Sequence, residues 1–281
     1  MPTLPSLTPR HDRVPAAASG RPDLPWPLLT TILITALACG LLAYVSIVYT
    51  RGSGRIAAVW LPNALLLAVV AGRRGLPIVA WLGPAFIANL IANIAVGDSL
   101  AMAVGLSLAN TIEVAIALFA LGKLKAQRPD MTSLADLMRF CAIGGIVAPA
   151  CSAAVAVVIL WPGSFAPAVM LWASWATTDG LGIMLFSPTL WIVADAWADR
   201  SRPSRATVLN WVAVTAFGTC VSLIVFTQHT APLLFLMMPV VFLYAYRLGV
   251  LGTAVSILEI SIIASIATPT TRARSILSPA T

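Results

Sequence analysis

Apolar runs of about 17–28 residues recur along this chain, at about 27–49, 56–72, 76–96, 99–121, 137–160, 166–194, 208–227, 231–246 and 249–267. At a helical rise of ~1.5 Å per residue, each is long enough, or nearly so, for the ~30 Å hydrocarbon core of a bilayer. In lipid a chain must satisfy its own backbone hydrogen bonds, and uninterrupted runs of this length do so as helices. The expected fold class is therefore all-α: a polytopic integral membrane bundle of about nine transmembrane helices. Composition agrees, because 59% hydrophobic and 10% charged residues leave too little polar surface to cover a soluble globule of 281 residues.

Residues 1–26, rich in Pro, Ala and Arg, read as a disordered cytoplasmic tail, followed by an integral membrane domain over 27–267 and a short C-terminal tail over 268–281. With the N-terminus inside and spans alternating, Arg10, Arg13, Arg21, Arg73, Arg74, Lys123, Lys125, Arg128, Arg139, Arg200, Arg202, Arg205 and Arg247 face the cytoplasm. Only Arg51, Arg55, Arg272 and Arg274 face outward, a strong positive-inside asymmetry. The C-terminus then lies outside. The formal net charge of +7 does not point to nucleic acid, because the basic residues occupy short loops where positive charge fixes orientation. Cys39, Cys141, Cys151 and Cys220 fall within apolar runs and share no ligand spacing, so neither a metal nor a cofactor is expected.

Polar residues inside the spans are the candidates for function, since an ionisable group at membrane depth costs roughly 2.5–3.5 kcal/mol on insertion scales. Counting helical rise from the outer ends puts Asn63 at roughly 10 Å, Asn89 at about 12 Å, Asn110 at about 17 Å, and Glu113 and Asp179 at about 21 Å. All five lie between the outer half and the midplane, as a water-accessible pocket with two carboxyl groups at its floor would require, provided the helices are neighbours. Asn89 and Asn93 are four apart, Asn110 and Glu113 three apart, and Trp172, Trp175, Asp179 and Gly182 follow at intervals of three, four and three, so each set shares a helix face. Asparagines on such faces also serve as ordinary interhelical hydrogen-bonding groups, and either carboxyl could be a protonated packing residue.

No Lys or Arg reaches comparable depth, which leaves amide partners, a proton-coupled role or a cationic ligand for Glu113 and Asp179. Glu259 is another buried acid but belongs to no local polar cluster in the sequence. Trp26, Trp161, Trp191 and Trp211 sit near span ends as interfacial anchors, whereas Trp60, Trp172 and Trp175 lie deeper, either packed or facing a ligand. Gly180 and Gly182 suit close packing or a hinge. Pro62, Pro84, Pro149, Pro188 and Pro239 should kink helices or free carbonyls. His11 and His229 lie outside the spans, and no phosphate-binding glycine loop is present, so an enzyme is not expected. A small secondary transporter or channel subunit is the alternative reading, although no internal repeat relates the two halves.

The segment Val59-Trp60-Leu61-Pro62-Asn63-Ala64, the pair Arg73-Arg74, the segment Asn110-Thr111-Ile112-Glu113, the series Trp172, Trp175, Asp179, Gly182 with Pro188 downstream, and Pro239 followed by Tyr246-Arg247-Leu248-Gly249 together resemble the first type of bacterial membrane-associated sensor (MASE) domain. The resemblance covers about residues 27–267. It implies a multi-pass sensory module of the bacterial inner membrane. Such a module takes up an unknown small ligand or a proton and relays to a histidine kinase, a diguanylate cyclase, a cyclic-di-GMP phosphodiesterase or a transporter-like partner. Compared with that family the chain stops at Thr281 without the closing helix or an output domain, which implies a fragment, a degenerate product or a stand-alone form acting in trans.

Overall fold

The computed structural model describes residues 26–50, 60–73, 75–124, 128–131, 133–161, 163–198, 204–228 and 231–277. They form α1 (Trp26–Thr50), α2 (Pro62–Val70), α3 (Val79–Ala95), α4 (Leu100–Leu124), α5 (Leu134–Phe140), a π-helical stretch (Cys141–Val147), α6 (Ala148–Leu160), α7 (Phe165–Ala198), α8 (Arg205–Thr227), a 3₁₀ turn (Leu233–Leu236) and α9 (Met237–Leu277). There is no strand among the described residues, as the unbroken apolar runs require.

Among the described residues, six helical segments are long and apolar enough to cross a membrane: Trp26–Tyr49, Leu100–Gly122, Leu134–Leu160, Phe165–Ala198, Arg205–Thr227 and Leu233–Ala264. α3 is also apolar but has 17 residues. The last of the six contains two of the expected runs. Gly249 adopts φ 67° and ψ −155°, a left-handed φ that suits glycine, and Tyr244 on one side of it donates a hydrogen bond to Glu259 on the other. Along a straight helix those two residues would stand ~22 Å apart, so the chain folds back at Gly249. The helix also continues to Leu277, past the boundary expected at 267.

α2 departs most from expectation. Of the run at about 56–72, residues 56–59 lie outside the described residues, and helix begins only at Pro62 and ends at Val70. Its 9 residues span ~13 Å, less than half the hydrocarbon thickness. The sequence explains the start: proline lacks an N–H, has φ preset for a helix, and is favoured at the first helical position. Trp60 and Leu61 precede it without helical structure.

This short helix occupies the middle of the bundle, in contact with α1, α4 and α7. Six of its residues are buried (Pro62, Asn63, Ala64, Leu66, Leu67 and Val70), the pattern of a helix enclosed on nearly every side. Around it the apolar core gathers Val114, Phe140, Ile183 and Trp191, with the Phe140 ring edge-on to Trp191 at 5.4 Å. Outward faces expose Leu37, Val158, Met170 and Phe242, as lipid-facing helices do.

Candidate functional site

α2 and α7 pack in register, and that register sets the depth of everything beside them. Ser187 Oγ donates to the Ala64 carbonyl at 2.9 Å, and Trp191 Nε1 donates to the Ala68 carbonyl at 2.8 Å. A Cβ on Gly182 would overlap the Trp60 carbonyl oxygen. The start of α2 is thereby fixed against Gly182, about 25 Å along α7 from Phe165. Asn63, which helical counting put about 10 Å deep, lies level with Asn110, and Trp60 and Leu61 before Pro62 are not helical. Its Nδ2 donates to Asn110 Oδ1 at 3.1 Å.

Glu113 and Asp179 meet beside this pair. Glu113 is 0% exposed and Asp179 4% exposed. The Glu113 carboxyl faces Asp179, Asn63 and Ser152, and Asp179 also faces Trp175. None of these approaches gives Glu113 a regular hydrogen bond: both of its oxygens, and Asp179 Oδ2, are buried without a partner of good geometry. Trp60 Nε1 and Ser107 Oγ are buried and unpartnered as well. Unpaired buried polar atoms are rare in folded proteins, at about 1–3 kcal/mol each, so three on one pair of carboxyl groups need an explanation.

The wall opposite is tied down by hydrogen bonds. Ser152 Oγ donates to the Ala109 carbonyl at 2.9 Å and accepts from Trp175 Nε1 at 3.3 Å, joining α4, α6 and α7. Gly180 makes this contact possible, since a Cβ there would overlap the Gly145 carbonyl oxygen in the π-helical stretch. Both glycines of α7 therefore serve close packing. The first turn of α2 adds the positive end of a helix dipole and backbone amides without intrahelical acceptors, an end that accommodates negative charge.

Two of the expected residues stand apart from the carboxyl pair. Trp172 is 40% exposed, and its Nε1 donates to the Ala150 carbonyl at 2.9 Å, so it faces outward rather than into the cluster. Asn89 accepts from Asn93 Nδ2 at 2.9 Å within α3 and borders a cavity of about 10 Å³ shared with Asn63 and Asn110, room for a single water. Asn63, Asn110, Glu113, Trp175 and Asp179 are brought together; Gly182 meets the Trp60 backbone, while the Trp60 ring packs on Ala43, Ile47 and Ala92. Ser152 and Gly145 complete the site but carry no strong local signal in the sequence. Glu259, which has no local polar cluster in the sequence, gains one in the fold, because it accepts from Thr219 and Tyr244 once the chain folds back at Gly249.

The fold and this centre define an integral membrane helical bundle built around a polar, acidic core held away from lipid. The chain belongs to the MASE1 family, whose model matches residues 29–280, and it is thus a membrane-associated sensory domain. No curated protein and no solved structure matches it.

Proposed function

We propose that the domain is the signal-input part of an inner-membrane sensor, with its N-terminus cytoplasmic, and that the Glu113–Asp179 pair receives the signal. The occupant is a proton or a small ligand presenting a positive charge or hydrogen-bond donors. One observation carries this reading: two adjacent buried carboxyl groups leave three of their oxygens unsatisfied, with no Lys or Arg among the neighbours that face them. A ligand with several donors between them would satisfy all three, and a proton shared across the pair would satisfy two.

Relay follows from the α2–α7 pairing. Asn63 stands beside the acidic centre, and the hydrogen bonds at Ala64 and Ala68 make α2 and the second half of α7 move as one unit. A shift at Asn63 is therefore delivered to the far ends of both helices, near Arg73 and Ala198. The cavity beside Asn63, Asn89 and Asn110 has room for no more than a water, so a larger ligand there requires a second helix arrangement. Such differential affinity is what shifts a two-state population. An attached or associated histidine kinase, diguanylate cyclase or transporter-like partner would read that shift at the cytoplasmic face.

A transporter or channel subunit is the second reading, favoured by the half-length of α2, whose start lies deep in the bundle as in the broken helices of transporters. Thermal unfolding of purified protein across pH and a metabolite library, for wild type, Asp179→Asn and Glu113→Gln, tests the first reading. The expected result is a ligand- or proton-dependent shift present in wild type and absent in both variants. Equal responses in all three proteins would remove the carboxyl pair from the function. Substrate flux into proteoliposomes would establish the second reading instead.

A further inference from the structure

A second feature lies at the other end of the α2–α7 pair, where both helices terminate. An open cleft of about 920 Å³ runs between them. Its walls are apolar, with Val69 on α2 and Leu190 on α7, and its rim carries Arg73, Arg128 and Asp195. Two guanidinium groups against one carboxylate give the rim a net charge of +1.

Both guanidinium groups are held in place. Arg73 Nε donates to the Val69 carbonyl at 2.6 Å, and its guanidinium stands 5.0 Å from the centre of the Trp81 ring. Arg128 pairs with Asp195 through Nη2 and lies 5.7 Å from the Trp191 ring. Arginine offers five donors in a planar fork, so each of these contacts leaves donors directed elsewhere. Stacking on tryptophan fixes the fork at low entropic cost without consuming donors.

We propose that this cleft seats an anionic phospholipid, its phosphate between Arg73 and Arg128 and an acyl chain along Val69 and Leu190. A soluble anion would use the arginines but not the apolar walls, and a neutral lipid would use the walls but not the charge. Only an amphiphile with a negative head matches both. The cleft lies on the face that carries the excess of basic residues, where anionic head groups are met in a cytoplasmic leaflet. The site shares the membrane orientation assigned above but does not depend on what occupies the Glu113–Asp179 pair.

The test is the apparent thermal stability of detergent-purified protein titrated with phosphatidylglycerol, phosphatidylcholine or inorganic phosphate. Phosphatidylglycerol alone should stabilise wild type, and Arg73→Gln and Arg128→Gln should each weaken its apparent affinity roughly five-fold. The double Arg73→Lys, Arg128→Lys variant, which keeps the charge but not the planar fork, should weaken the response less than the double glutamine variant, and Asp195→Asn should strengthen it. The proposal is overturned if phosphatidylcholine stabilises as well, if inorganic phosphate reproduces the shift, or if the glutamine variants respond like wild type. Should those variants fail to fold, an unchanged phosphatidylglycerol response in Asp195→Asn would count against it on its own.

Discussion

Replacing Gly182 by alanine tests the packing that sets the depth of the acidic centre. The added methyl would enter the space of the Trp60 carbonyl oxygen. A comfortable C···O contact is about 3.3 Å, and relieving the overlap takes a separation of α7 from the start of α2 on the order of 1 Å. The two hydrogen bonds that hold these helices, at 2.9 and 2.8 Å, do not survive such a displacement. Losing them costs about 0.6–1 kcal/mol each. Overpacking adds about 1–3 kcal/mol, offset by about 1 kcal/mol from the better helix propensity of alanine. The net is about 1–4 kcal/mol, or an apparent Tm in detergent lower by about 5–10 °C at the centre of that range. Gly122→Ala is the control: it is helical too, but nothing lies within 4 Å of its would-be Cβ, so it should leave Tm unchanged or raise it. Equal Tm values for the two variants would refute the reasoning, because they would show that α7 does not press on the Trp60 backbone.

Trp175→Phe should lower apparent stability by about 1–2 kcal/mol, since it removes the donor to the buried Ser152. Trp172→Phe, on an exposed face, should cost under about 1 kcal/mol and keep any ligand response; the reverse order in thermal unfolding would overturn the assignment of Trp172 to the outside. Tyr244→Phe removes one hydrogen bond to the Glu259 carboxyl and should cost about 1–3 kcal/mol, while an unchanged Tm would show that this carboxyl is satisfied without it. If all nine expected runs cross the membrane, a cysteine introduced at Ser275 should react with an impermeant thiol reagent from the outer side only. Reaction from the cytoplasmic side alone would contradict the expected count of nine spans.

Much of the architecture is legible in the sequence because bilayer thickness turns run length directly into structure. The long runs that became α1, α4, α7 and α8 needed no tertiary information, and the spacing of Asn110 with Glu113 and of Trp175 with Asp179 already placed each pair on one helix face. α2 was not legible in the same way. Its apolar run looks long enough to cross, and only Pro62 hints that helix starts late. Trp172 shares the helical spacing of Trp175, yet spacing cannot tell which side of a 100°-wide stripe meets a neighbour, and the bundle turns it outward.

What the sequence determines by itself is the solvent this protein is made for and the candidates for its chemistry, because hydropathy and helical period are local properties of the chain. Tertiary structure alone decided that Glu113 meets Asp179, that Ser152 rather than Trp172 braces them, and that Glu259 joins Tyr244 and Thr219. Those contacts join helices distant in the sequence. Their geometry depends on small residues such as Gly180 and Gly182, which let backbones touch, and on a turn at Gly249 that only a left-handed φ allows.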